Sequence, residues 1–370
     1  MQETKAKYLK QLKEKTFHKL IIGAALKDYQ AIENFSYYFT HAEADVLDIS
    51  AFPHSVLCAK KGIEKALQED STLTEPLIMV SVNIGEDPHF RRIEINWDNC
   101  TECLACVPTC PSSAFSATRH PSPVTQFSYN ENLCFGCSNC LPSCNFDALN
   151  FETWDAFKTE SLIELQELGA RAIEIHLNND LEAFKTFYFN MPEFELESFC
   201  IGSEKMTKKD LELATEAVIE AVLAKNGLYH INSLTEKDSD ARLASTKFTL
   251  VNEDSRNAAS GTFQSGYFVI QTDGIPMSGA RDMGNIEKDL VSMDNAKIVK
   301  EYIHKNYAEL EKNIFVQLAG GITEASLKKA KKRKLGINGV AIGSYARKVL
   351  DQSATPILTA KELIRLSKLD

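Results

Sequence analysis

Along most of the chain, short apolar runs of strand length alternate with longer stretches whose apolar residues return every three or four positions. These are the periods of a buried strand and of an amphipathic helix. After a short charged helix at 1–16, expected at the surface, the first strand falls at 18–25 (His-Lys-Leu-Ile-Ile-Gly-Ala-Ala) and a helix follows at 28–42. A second strand at 44–50, a helix at 55–68 and a third strand at 77–83 continue the alternation. It breaks at 90–152, where two short strand-like pieces stand out, 92–95 and 126–129. It then resumes with a helix at 161–168 stopped by Gly169, a strand at 172–177 and a short helix at 184–190. A strand at 197–202 and a long amphipathic helix at 208–225, with Gly227 behind it, come next. Residues 228–266 are polar and hold Ser, Asn, Asp and Gly clusters, an irregular excursion with one strand candidate at 247–251. The remainder holds strands at 267–272, 314–318 and 339–342, with helical stretches at 286–312 and 327–334.

Strands alternating with helices predict an α/β fold with a parallel sheet and right-handed crossovers. Eight such strands is the number in a TIM-like (β/α)8 barrel, and the chain without 90–152 has room for a barrel of about 250 residues plus one excursion. A doubly wound open sheet is the alternative. The chain therefore divides into a first part of the barrel at 1–89, an insertion at 90–152, and the remainder of the barrel at 153–370 with its excursion at 228–266. The insertion follows the third strand, on the carboxyl-terminal side where barrels build their active sites, and so belongs near the barrel mouth.

The insertion carries the chemistry that is most specific. Cys100, Cys103, Cys106 and Cys110 are separated by two, two and three residues, and Cys134, Cys137, Cys140 and Cys144 repeat that spacing. This is the signature of a ferredoxin-like domain with two [4Fe-4S] clusters, in which the fourth cysteine of each run ligates the other cluster. The implied sets are Cys100, Cys103, Cys106 and Cys144 for one cluster, and Cys134, Cys137, Cys140 and Cys110 for the other. Structural zinc uses two Cys-x-x-Cys pairs and has no use for the third and fourth cysteine of each run. Disulfides need an oxidising compartment that nothing in the chain indicates. Pro111 follows the first run as in the ferredoxin pattern, whereas Asn145 follows the second.

Composition narrows the setting. A hydrophobic fraction of 44% and a charged fraction of 25% are those of a soluble protein with a sizeable core. A net charge of -10 argues against nucleic acid as the main partner and suits a basic redox partner. No signal-peptide core or membrane span is evident, so a reducing cytoplasm or plastid stroma is expected. Of the ten cysteines, Cys58 and Cys200 lie outside the two runs, among apolar neighbours, and read as packed thiols.

Two late loops suggest a ligand. Gly320 and Gly321 follow the seventh strand, and Gly343 and Ser344 follow the eighth, where many barrels bind a phosphate through backbone N–H groups. Tight turns alone would also use these glycines. Strand phase turns Asp48 and Ser50, Glu174 and His176, Gln271 and Asp273, and Gln317 toward the lumen. Glu174, His176 and Asp273 are the catalytic candidates, with a polar core layer as the bland alternative. The segment 271–279 (Gln-Thr-Asp-Gly-Ile-Pro-Met-Ser-Gly) predicts a shaped loop that offers Asp273 or Ser278 to a ligand.

The ordered set of Lys19–Ala25, Ala44–Ser50, the paired cysteine runs, 271–279, Gln317–Gly321 and Gly343–Arg347 resembles the light-dependent period protein (LdpA) family of cyanobacteria. The resemblance covers most of the chain, and 228–266 departs from it in looking longer and more irregular. It implies a cytoplasmic iron-sulfur protein that senses redox state and passes light-dependent information to the circadian clock, with clock proteins or a redox partner as its contacts. Two alternatives remain open: a barrel oxidoreductase whose clusters pass electrons to a phosphate-bearing ligand such as FMN held by Gly320, Gly321, Gly343 and Ser344, and a scaffold in which the clusters only staple the insertion.

Overall fold

The computed structural model describes residues 2–85, 87–110, 113–119, 125–134, 139–153, 159–177, 180–202, 206–226, 229–231, 248–250, 267–274 and 288–368. Cys137, Pro111, Ser278, Gly227 and most of the 228–266 excursion lie outside these residues.

The chain runs α1 (Gln2–Glu14), β1 (Phe17–Gly23), α2 (Tyr29–His41), β2 (Val46–Ser50), α3 (Pro53–Glu69) and β3 (Leu77–Asn83) into the insertion. The insertion holds β4 (Arg91–Ile95), β5 (Phe115–Arg119), β6 (Thr125–Tyr129) and β7 (Leu149–Thr153). Beyond it come α4 (Thr159–Leu168), β8 (Ala172–His176), α5 (Leu181–Asn190), β9 (Leu196–Ile201) and α6 (Lys208–Lys225). The short strands β10 (Tyr229–Ile231) and β11 (Phe248–Leu250) pair antiparallel, so the strand candidate in the excursion has a partner. The chain closes with β12 (Phe268–Thr272), α7 (Lys288–Asn306), β13 (Ile314–Leu318), α8 (Glu324–Arg333), β14 (Gly339–Ile342), α9 (Ser344–Asp351) and α10 (Pro356–Ser367).

Eight parallel strands close on themselves in the order β1-β2-β3-β8-β9-β12-β13-β14, and β14 returns to β1 through Phe17 opposite Gly339. Closure corrects the doubly wound alternative, which would leave two edge strands. It follows from alternation on every strand. Leu47, Ile49, Val80, Val82, Ile173, Ile175, Phe199, Ile270 and Val316 face outward into one apolar shell beneath the helices. Their neighbours face the lumen. Helix ends are set by local chemistry: Asp28 accepts from the Ala31 N–H to start α2, and Thr207 with Asp210 forms a capping box that starts α6.

The amino-terminal end of the lumen is apolar, filled by Phe17, Val46, Leu77, Met79, Ala172, Leu196, Val269 and Phe315. Tyr8 and Leu12 of α1 complete it, so the charged helix expected merely at the surface stoppers the barrel floor with one buried face. Residue pattern alone does not reveal α9, α10, β5 or β7. Among the described residues no helix is long and apolar enough to cross a membrane.

The insertion leaves the barrel after β3 and re-enters before α4. A ladder between β4 and β7, from Arg91 opposite Thr153 to Ile95 opposite Leu149, forms its neck, and β5 and β6 make a second hairpin. Its small core of Ile93, Ile95, Ala114, Phe115 and Leu149 includes Cys134 and Cys140.

Candidate functional site

Within the insertion, the last stretches of the two cysteine runs, 106–110 and 140–144, make matching hydrogen bonds. One residue before the last cysteine of each run, a hydroxyl donates to the carbonyl of the third: Thr109 Oγ1 to Cys106 O at 2.9 Å, and Ser143 Oγ to Cys140 O at 2.7 Å. The two hydroxyls meet at 3.5 Å, which joins the two runs at one point. The two runs thus end alike. Glu102 and Leu104 take left-handed backbone, with φ of 52° and 66°, so the chain between Cys100 and Cys106 coils tightly enough for three sulfurs to share one centre.

Cys100, Cys103, Cys106 and Cys144 line a single hollow together with Leu104, Phe127, Phe146 and Leu149. The first three come from one run and the fourth from the other. Burial, and then the neighbouring sulfurs of Cys103, Cys100 and Cys144, push the Cys106 thiol up to about 11. Sulfurs that raise one another in this way want a cation among them, and a [4Fe-4S] cluster in an apolar cradle fits that donor set. In the second set, Cys134 and Cys140 are buried and Cys110 is half-buried against the same small core. Among the described residues none of the nine cysteines forms a disulfide.

The upper half of the barrel lumen is polar and buried. Lys19 of β1 forms an ion pair with Glu174 of β8 and lies 3.5 Å from Asp48 of β2. Glu174 also accepts from Ser198 at 2.9 Å and from Gln271 at 2.8 Å, while Asp48 accepts from Ser81 at 2.6 Å. Burial alone would raise the Glu174 carboxyl, but the Lys19 ammonium and the His176 imidazole outweigh it and hold it below the usual carboxylate range. Burial dominates for Asp48, which rises to about 6 despite Lys19. Glu174 is therefore a fixed anion with its lone pairs occupied.

Above this layer, His176 Nε2 lies 3.2 Å from Glu174, and its Nδ1 lies 3.1 Å from Asp87. His89 shares that carboxylate through Nδ1 at 2.7 Å and reaches Asp273 through Nε2 at 3.4 Å. The three catalytic candidates Glu174, His176 and Asp273 thus stand in one connected network. Ser50 sits at the rim, bonded to Leu26 O and Ser55, and Gln317 is buried in the lumen. Cys200 is buried beside His176, and burial pushes its thiol up to about 12, which keeps it protonated as a packed thiol would be. Cys58 packs half-buried against the outer core. Lys19, Asp87 and His89 join the site without having been singled out from the sequence. Lys19 carried a signal, a lysine in lumen phase within an apolar strand, whereas Asp87 and His89 sit in a connection with no period.

Gly320 and Gly321 both have left-handed backbone, with φ of 68° and 72°. A Cβ on Gly320 would fall 2.0 Å from Asp273 Oδ1, so this glycine is required for the close approach of two mouth loops, whether or not it also contacts a ligand. Gly343 is the N-cap of α9, with Ser344 its first residue, and no side chain caps that end. Arg347, half-buried one turn on, donates to Ile22 O. Its pKa is lowered to about 10, first by burial and then by Arg92 from the neck of the insertion, so two guanidinium groups share this quarter of the mouth.

A family model described as the light dependent period A C-terminal domain matches residues 262–365, and one described as a 4Fe-4S dicluster domain matches 99–148. A relative from Synechococcus elongatus (strain ATCC 33912 / PCC 7942 / FACHB-805), "Light dependent period A", is 34% identical over 160 residues, and the match spans 43% of this chain and 43% of that protein. Among solved structures, triosephosphate isomerase from Bartonella henselae is 7% identical with a TM-score of 0.37, covering 94% of this chain and 98% of its own. Tryptophan synthase from M. tuberculosis is 9% identical with a TM-score of 0.40, covering 99% of each chain. Likenesses at that level add nothing to a barrel already defined by its own strand register.

Proposed function

We propose that this chain, similar to light dependent period A over part of its length, is a redox-responsive signalling protein that holds two [4Fe-4S] clusters and reports redox state to the circadian clock. The observation that carries the proposal is the hollow shared by Cys100, Cys103, Cys106 and Cys144. A cysteine from the second run completes the first set, as a two-cluster arrangement requires and a pair of independent metal sites does not. When bound, such clusters store single electrons at a potential set by burial and by hydrogen bonds to the sulfurs. The chain's own residues supply that environment: Phe127, Phe146 and Leu149 line the hollow with apolar surface, and Thr109 and Ser143 fix the fourth cysteine of each run. The mouth connection that carries His89 runs directly into β4, so a charge change in the insertion can bear on the barrel through that neck.

Anaerobic purification followed by iron, sulfide and organic-cofactor analysis on one sample tests this. About eight iron and eight sulfide per chain, with an electron paramagnetic signal after dithionite, are expected for two cubanes. About four iron, or zinc in place of iron, sinks the two-cluster assignment. The paired guanidinium groups of Arg347 and Arg92 beside Gly343 favour a second proposal, a phosphate-bearing ligand such as FMN at Gly320, Gly321, Gly343 and Ser344 serving an oxidoreductase. Yellow absorbance that survives removal of the clusters supports that reading; its absence leaves the sensor.

A further inference from the structure

Asp87 and His89 are not barrel-strand residues. They lie in the connection that leaves β3, two to four residues before β4 begins, and this connection bends back so that both side chains meet His176 at the end of β8. His89 and His176 stand with ring centroids 5.4 Å apart, and both turn Nδ1 toward the one Asp87 carboxylate, at 2.7 Å and 3.1 Å. The three ligand atoms lie within 4.8 Å of one another.

Hydrogen bonding alone accounts poorly for this convergence. Each imidazole also presents Nε2 to a further carboxylate, His89 to Asp273 at 3.4 Å and His176 to Glu174 at 3.2 Å. Satisfying all four contacts by protons needs either two imidazolium ions facing Asp87, Glu174 and Asp273, or a proton kept by Asp273, whose carboxyl burial raises. A metal ion removes the difficulty, since neutral imidazoles bind through Nδ1 and keep Nε2–H for the outer carboxylates. An imidazole that ligates through one nitrogen and donates from the other to a carboxylate is the usual outer-shell arrangement of metal-binding histidine. Ligand atoms about 2.1 Å from one ion and at right angles lie about 3 Å apart, comparable to the 2.7 Å and 3.1 Å from the two imidazoles to the two oxygens of Asp87. A second observation points the same way: Asn83, on β3 opposite His176 in the register, has a buried Oδ1 with no hydrogen-bond partner among the described residues.

We propose that Asp87, His89 and His176 form a mononuclear site for a first-row divalent metal ion at the barrel mouth, with Asp273 and Glu174 orienting the two imidazoles. Two nitrogens and a carboxylate suit iron(II), manganese(II) or zinc(II) and leave coordination positions free. The side chains of His89 and Asp87 are 30% and 17% exposed, so those positions are reachable from solvent. The site is separate from the cysteine cradle and stands whether or not the clusters sense anything.

The test uses the full chain purified anaerobically with its clusters in place, stripped of loosely held metal by EDTA and titrated with manganese(II). Thiolates are poor ligands for that ion, and its free form has a six-line paramagnetic spectrum that disappears on binding. One tight manganese per chain is expected, lost in Asp87→Asn and in His176→Ala, and weakened roughly 10–100-fold in Asp273→Asn, which removes an orienting carboxylate. His89→Ala, at the more exposed position, serves if His176→Ala fails to fold; unchanged circular dichroism and iron content qualify each variant. Wild type that binds no more manganese than Asp87→Asn, or tight binding retained in the qualified variants, overturns the site.

Discussion

Lys19 shows how much one buried charge decides. Its ammonium is in van der Waals surroundings on β1, yet Glu174 and Asp48 face it, and their attraction outweighs the desolvation that would otherwise lower its pKa. Removing one member of a buried ionic group leaves the others uncompensated and typically costs about 3–5 kcal/mol. Lys19→Met should therefore lower barrel stability by about that much in urea denaturation followed by circular dichroism, and adding Glu174→Gln should recover part of it. A single variant as stable as wild type would show that the carboxylates are neutral in the native lumen. Asp45 makes the opposite case at the barrel floor. Burial raises it from 3.8 to about 6, ahead of the His18 N–H, Lys7 and Gln11, which lower it, and of Glu43. Because the folded chain keeps a proton that the unfolded chain loses in that window, this group's contribution falls as pH rises from about 4 to about 6, by up to about 3 kcal/mol. Asp45→Asn should flatten that part of the stability profile relative to wild type; an unchanged slope would assign it to other groups. At this scale the lumen was legible wherever alternation applied. Asp48, Glu174, His176, Gln271 and Gln317 were all placed inward from period alone, while Asp87 and His89 were hidden because a connection has no period to read.

Among the elements, α1 is the one whose role its composition disguises. Lysines dominate Gln2–Glu14, and a charged helix reads as solvated, but two apolar side chains four residues apart are enough to build one narrow buried face. Leu12 is 0% exposed and Tyr8 2%, both over the floor formed by Phe17, Val46 and Leu77. Leu12→Ala should cost about 2–5 kcal/mol in the same denaturation experiment, the range for a fully buried leucine. A loss near zero would mean that α1 stays docked through other contacts, Tyr8 among them. The strands of the barrel were legible because each is apolar on its outer face, and the helices between them follow from the crossover rule. The strands β5 and β7 were not, since Phe-Ser-Ala-Thr-Arg and Leu-Asn-Phe-Glu-Thr alternate over only five residues. The last two helices were missed for a different reason: α9 directly follows β14 behind an uncapped glycine, and α10 begins at Pro356 with a stripe of Ala360, Leu363 and Ile364 that is short and interrupted by charge.

For the molecule as a whole, the deciding property is that the insertion and the barrel meet through a narrow neck while the two cysteine runs are interlocked within the insertion. The neck is the β4–β7 ladder of five residue pairs, and the barrel's outer shell, its floor and its polar lumen are all made without residues 91–153. Loss of a cluster should therefore loosen the insertion and spare the barrel. The interlocking makes a sharper prediction, since Cys144 shares its hollow with Cys100, Cys103 and Cys106 although it lies 38 residues beyond the last of them. In Cys144→Ser, the cluster held by the first run should be the one lost or altered. Iron should drop toward half, and the residual paramagnetic spectrum should match that of Cys103→Ser more closely than that of Cys134→Ser. Most of the far-ultraviolet circular dichroism should remain in all three variants, because the helices belong to the barrel. If Cys144→Ser instead matches Cys134→Ser, each run holds its own cluster and the hollow at Cys144 has another use. If circular dichroism collapses in every variant, the barrel depends on the insertion in a way that its own packing does not reveal.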